Sequence, residues 1–163
     1  MNNPNHNYEE LSMSKIEKVL LTGKAHTTAS DARIISGAHD GNVNIKLSSP
    51  GNRAAREHVF EAIQPHPTAE QLFAGAWSAC YMAAVGIVAK EKKVVLPATT
   101  AVDIEVDLGQ TGNEYFIQGR VNLNVPGIAH DVATAIAHAA EEICPYSKAT
   151  RGNIDVVVNV ITA

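Results

Sequence analysis

A chain of 163 residues that is 45% hydrophobic and 18% charged has the length and apolar content of one globular domain with its own core. Its formal net charge of -4, with Lys and Arg nowhere clustered over several turns, argues against a phosphate-binding surface and so against a nucleic-acid partner. Two cysteines are too few for a secreted disulfide scaffold, so a cytoplasmic chain with thiols reduced at rest is expected.

The polar opening, residues 1–14, lacks the apolar segment of a secretory signal and reads as a disordered lead-in to a single domain over 15–163. "KVLLTGKAHTTA" is rich in β-branched residues and reads as a strand. "DARIISGAHDGNVNIKLSS" reads as two strands around a turn at Asp40-Gly41. Between Pro50 and the pair Pro65 and Pro67 there is room for a short helix, Arg53 to Ile63. Thr68-Ala-Glu-Gln71 then fits a capping box, and the helix it opens runs to about Lys92. Lys90, Lys92 and Lys93 suit the negative end of its dipole, and Pro97 closes the segment.

The apolar run over 72–89 is long enough to raise the question of a membrane span. Its Ala- and Gly-rich stretch, "AGAWSACYMAAVG", suits close packing inside a protein, so a buried core helix and no membrane association are expected. Next, "TTAVDIEVDLGQ" and "YFIQGRVNLNV" alternate apolar and polar residues around "TGNE". That pattern is a half-solvated hairpin with Val102, Ile104, Val106 and Leu108 inward and Asp103, Glu105 and Asp107 outward. "IAHDVATAIAHAAEEI" reads as an amphipathic helix, "CPYSKATRGN" as its interruption, and "IDVVVNVIT" as a final strand. The order β-β-β, helix, β-β, helix, β predicts an α+β fold with largely antiparallel pairing.

Several kinds of site find no support. No C-x-x-C or H-x₃-H pair offers zinc ligands, and His66 between two prolines reads as a loop residue. Neither a nucleotide-cradling glycine loop nor a G-x-S-x-G elbow is present. What remains is two cysteines in distinct settings. Cys80 sits in the apolar helix, where a free Cys is as readily a small core hydrophobe. Cys144 leaves a helix ahead of Pro145 and a polar, cationic run holding Tyr146, Ser147, Lys148, Thr150 and Arg151. Thiolates are favoured near such charges, although the run also reads as a plain helix stop and turn.

"EQLFAGAWSACY" together with "CPYSKATRGNIDVVVNV" resembles the organic hydroperoxide resistance (Ohr) branch of the Ohr/OsmC family. The resemblance extends in order over Lys15 to Ala163, including "IEKVLLTGKAHTTA" and "DGNVNIKLSSP". It implies an OsmC-like fold: mainly antiparallel strands around long central helices in an intertwined homodimer. The implied activity is that of a metal-free, cofactor-free thiol peroxidase that reduces organic hydroperoxides to alcohols. On that resemblance Cys80 matches the peroxidatic cysteine, Cys144 the resolving cysteine and Glu70 the active-site glutamate. Arg33, the sole arginine of the early hairpin, matches the catalytic arginine after a one-residue shift. The implied reductant is a dithiol of the dihydrolipoyl type. The chain departs from the family at Ala69, where Pro is usual, and at Arg53–Gln64, which is longer and more charged than the usual glycine-rich loop.

The chemistry is coherent residue by residue. Apolar burial would raise the pKa of Cys80, and a guanidinium such as Arg33, always charged and able to donate to sulfur and peroxide oxygen together, would oppose that. Glu70 would hold the arginine and limit the cost of an unpaired buried charge. Cys144 would trap the Cys80 sulfenic acid as a disulfide before further oxidation. Phe73, Trp77, Tyr81 and Met82 offer an apolar wall for alkyl or fatty-acyl substrates, and are equally good core residues. Two alternatives stay open: an OsmC-type peroxidase without strong organic preference, and a non-catalytic redox-sensing or apolar-ligand-binding module. Glu70 and Cys80, ten residues apart, would lie about 15 Å and about 80° apart on one straight helix. Either the helix breaks or Glu70 of one chain serves Cys80 of a second.

Overall fold

The computed structural model describes residues 14–28 and 68–163. The lead-in before residue 14, the Asp40-Gly41 hairpin, the helix expected over Arg53–Ile63 and Arg33 lie outside the described residues. Within them the order is β1 (Lys18–Thr28), α1 (Ala69–Glu91), β2 (Ala101–Thr111), β3 (Glu114–Asn124), α2 (His130–Ile143), α3 (Pro145–Thr150) and β4 (Asp155–Ile161).

The four strands form one sheet in chain order. The β1–β2 and β2–β3 pairings are antiparallel, and the expected hairpin pairs from Ala101 with Asn124 to Thr111 with Glu114. β4 departs from that pattern by joining β3 in parallel. The reason is connectivity: α2 and α3 carry the chain back along the sheet, as a parallel neighbour requires.

Register lays the inner face out in rows. Ala25, Ile104, Val121 and Val158 form one row, and Thr27, Val102, Leu123 and Val160 the next. A third row, Gly23, Val106, Gly119 and Val156, has two positions without side chains. There α1 comes close. A Cβ on Gly23 would lie 2.4 Å from the Gln71 backbone nitrogen, and one on Gly119 would lie 2.9 Å from the Trp77 ring.

α1 begins as the capping box predicts. The Thr68 side chain accepts the Gln71 N–H at 3.2 Å, and the Gln71 side chain accepts the Thr68 N–H at 2.9 Å. It ends in a Schellman arrangement: Val94 N–H donates to Ala89 C=O and Lys93 N–H to Lys90 C=O, with Lys93 at φ 57° in the left-handed region. By length and composition α1 could cross a membrane, yet one face is core: Ala74, Trp77, Tyr81, Met82, Val85, Val88 and Ala89 pack with the sheet and with Ala133, Ile136, Ala137 and Ala140 of α2. Each larger apolar side chain among them stabilises the fold by about 1.5–3 kcal/mol. On the opposite side Ala76, Ala79, Ala83, Gly86 and Ile87 are exposed.

The outer face of the sheet is a charge lattice. Lys24, Glu105 and Arg120 sit side by side in one row; Thr22, Asp107 and Gln118 in the next. Arg120 bonds Glu105 through Nε at 2.8 Å and grips Asp107 with both terminal nitrogens. Asp107, expected on the solvated face, is therefore only 2% exposed. Burial pushes its pKa up, but hydrogen bonds from Arg120, Thr22 and Gln118 outweigh that and hold it at about 2.

Candidate active site

Phe73, Trp77 and Cys80 recur on α1 at the i, i+4, i+7 spacing of one helix face. Because Gly119 leaves room for the Trp77 ring, that face is drawn against the sheet, and Cys80 is carried with it one turn further on. Cys144 reaches the same place from the other side. It ends α2 and is the N-cap of α3, with extended backbone at φ -65°, ψ 122°. Its N–H donates to Ala140 C=O and its C=O accepts the Lys148 N–H, so both backbone groups are satisfied by the two helices it joins. The turn expected over "CPYSKATRGN" is thus helical from Pro145 to Thr150; Pro145 holds the first position, where a missing N–H has no cost.

The result is a thiol pair. The two cysteines are free, Cys144 buried and Cys80 partly exposed, and the Cys144 thiol points at the Cys80 sulfur across 3.6 Å. Joining them requires a further approach of about 1.5 Å, to the S–S length of about 2.0 Å. Burial pushes the Cys80 thiol up; a hydrogen bond from the Tyr146 backbone N–H opposes this, and the Cys144 thiol adds to it. None of these influences is a cation. Of the cations near by in sequence, Arg151 bonds the Glu142 carboxylate at 3.1 Å and the Glu141 C=O at 3.0 Å. At rest, then, this thiol favours its protonated form.

Four residues read from the sequence as an apolar wall have different settings here. Trp77 and Tyr81 are fully buried, and Met82 is 2% exposed. The Trp77 indole N–H donates to Ser147 Oγ at 3.2 Å, and the Tyr81 hydroxyl to Ala137 C=O at 2.9 Å. Burial above all, with Glu141 and Cys144 near by, keeps the Tyr81 phenol neutral. Phe73 is only partly buried and meets Trp77 edge-on at 5.8 Å and Tyr146 at 6.4 Å. Of these rings, Phe73 and Tyr146 keep apolar surface open, and the Tyr146 backbone N–H bonds the Cys80 sulfur.

Glu70 lies in the first turn of α1, packed by its backbone against Gly23. α1 is unbroken from Ala69 to Glu91, so Glu70 stands about 15 Å from Cys80 along the same axis. The structure brings Cys80 and Cys144 together and leaves Glu70 of the same chain apart from them. Three contributors had no role assigned from the sequence: the Tyr146 N–H, Ser147, and Glu141, which accepts the Ser147 hydroxyl at 2.6 Å. Only Ser147 had a visible signal, its position three residues after Cys144.

A four-stranded sheet backed by an apolar helix, with a thiol pair at a helix junction, defines the class. The sequence matches the family of OsmC-like proteins over residues 60–159, and the chain belongs to that family. Within it, the chain is 35% identical over 151 residues to the organic hydroperoxide resistance protein of Xanthomonas axonopodis pv. citri (strain 306), covering 91% of this chain and 99% of that one. The crystal structure of an organic hydroperoxide resistance protein from Elizabethkingia anophelis aligns with a TM-score of 0.64 at 25% identity, over 91% of this chain and 100% of that one. That of OhrB of Bacillus subtilis aligns with a TM-score of 0.55 at 29% identity, over 72% and 98%.

Proposed function

We propose that the chain is a thiol-dependent peroxidase that reduces organic hydroperoxides to alcohols through a Cys80 sulfenic acid and a Cys80–Cys144 disulfide. The observation that carries this reading is the 3.6 Å separation of two free thiols that stand 64 residues apart in sequence. The relatives' names supply the substrate class.

In the first step the Cys80 thiolate attacks the terminal peroxide oxygen. The O–O bond breaks, an S–O bond forms, and the alkoxide leaves as alcohol after taking a proton. In the second step Cys144 attacks the sulfenic sulfur, the S–S bond forms and water leaves. A dithiol, of the dihydrolipoyl type, then returns both sulfurs to thiols by exchange. Because burial disfavours the Cys80 thiolate and no described residue beside it is a cation, Arg33 is assigned to support thiolate and peroxide. Glu70 is assigned to hold that arginine. Since α1 is unbroken between Glu70 and Cys80, the proposed roles call for a homodimer in which each chain's Glu70 serves its partner's site. Phe73, packed against the core cluster that holds Trp77, Tyr81 and Met82, receives the alkyl group.

The test is mass spectrometry after one equivalent of alkyl hydroperoxide. Wild type should lose two hydrogens as the disulfide forms, whereas Cys144→Ser should gain one oxygen and then drift to the sulfinic form. Cys80→Ser should leave the peroxide unconsumed. A wild type without the Cys80–Cys144 bond, or an active Cys80→Ser, sinks the cycle.

A further inference from the structure

The thiol contact is one of two links between α1 and α3. Trp77 lies three residues before Cys80, and Ser147 lies three residues after Cys144, so each pair occupies one turn of its own helix. Trp77 meets Ser147 and Cys80 meets Cys144, which makes the two helices run antiparallel past each other at this point. The serine hydroxyl is engaged as both acceptor and donor. It accepts the Trp77 indole N–H at 3.2 Å and donates its own proton to the Glu141 carboxylate at 2.6 Å. Trp77 is 0% and Ser147 1% exposed, so water does not compete for the indole bond, whereas Glu141 is partly exposed. Ser147 C=O is held as well, by Arg151 N–H at 3.0 Å and the Thr150 hydroxyl at 3.1 Å.

Resting on the peroxidase reading, we infer that Ser147 is a positioning residue for the resolving step: the Trp77–Ser147–Glu141 relay holds Cys144 within closing distance of Cys80. A Cys80 sulfenic acid has two fates. Attack by Cys144 gives the disulfide and water; attack on a second alkyl hydroperoxide gives the sulfinic acid and a second alcohol. The first fate is intramolecular and depends on how near the Cys144 sulfur is held; the second depends only on peroxide concentration. Reactions between groups held in contact lose rate steeply with small displacements, up to about a hundredfold for about 1 Å. Losing the relay therefore shifts the partition towards the sulfinic acid.

The experiment titrates the full-length chain with a rising excess of alkyl hydroperoxide and reads, by mass spectrometry, the concentration at which sulfinic acid equals disulfide. Ser147→Ala is expected to lower that concentration about tenfold, and Ser147→Thr, which keeps the hydroxyl, to bring it back towards wild type. Thermal midpoints are recorded for every variant. A purely structural serine would lower the midpoint in the alanine variant and leave the partition where it was, which overturns the inference. Should Ser147→Ala not fold, Glu141→Ala removes the hydroxyl's acceptor from a less buried position, and its partition must move in the same direction. A wild type that forms neither disulfide nor sulfinic acid overturns the peroxidase reading itself and this inference with it, whereas a normal wild type with an unmoved variant overturns the positioning role alone.

Discussion

Asp107→Asn tests how the outer lattice is held together. In the wild type, Asp107 receives both terminal nitrogens of Arg120, the Thr22 hydroxyl and the Gln118 amide, while almost no water reaches it. Those bonds lower its pKa from 3.8 to about 2, and at about 1.4 kcal/mol per pH unit the difference corresponds to about 2 kcal/mol of stability at neutral pH. The sign follows from the direction. A carboxyl depressed in the folded state stabilises above its unfolded pKa, and that contribution is lost as pH falls through the folded one. Wild type should therefore exceed Asp107→Asn by about 2 kcal/mol near pH 7, and the gap should close between about pH 4 and about pH 2. Urea unfolding at fixed protein concentration, followed across that range for both proteins, measures it. A gap that is absent at pH 7, or that persists unchanged through pH 3, refutes the assignment of the stabilisation to an ionised Asp107.

Two further outcomes follow from the packing of α1. Gly23→Ala should destabilise by about 1–3 kcal/mol, because its Cβ would press on the Gln71 and Glu70 backbone, which cannot turn aside as a side chain could. Strand propensity alone predicts the opposite sign, so an unchanged or raised urea midpoint would dismiss the close approach. With the exposed stripe of Ala76, Ala79, Ala83, Gly86 and Ile87 available for burial, the proposed sharing of Glu70 between chains predicts a dimer. Sedimentation equilibrium at micromolar concentration should give twice the 17.3 kDa chain mass, and a monomer would count heavily against shared sites.

What could be read from the sequence was local. The capping box at Thr68 and Gln71 is a four-residue pattern with a unique geometric meaning, and it lies where it was expected. Alternation through Val102, Ile104 and Val106 gave the inward face of β2 for the same reason. Asp107 lies on the outer face as alternation indicates, but its burial comes from Arg120 on the next strand, a pairing that alternation cannot reveal. The parallel course of β4 depends on where two helices return the chain, which no property of "IDVVVNVIT" encodes. At the site, the sequence singled out both cysteines but not their separation. Ser147 passed as one polar residue in a turn, since its role rests on Trp77, 70 residues earlier.

The distance in sequence between the two thiols has a thermodynamic corollary. A bond between Cys80 and Cys144 would close a loop spanning 64 residues, and removing that loop's freedom from the unfolded chain corresponds to about 4 kcal/mol in the chain-entropy account. Linkage makes this reciprocal: whatever the bond adds to the fold, the fold adds to the bond. The oxidised protein should be the harder one to unfold, and its disulfide harder to reduce than the same pair in an unfolded chain. Each turnover would thus pass through a state that is both the sturdiest form of the molecule and the one its reductant must undo.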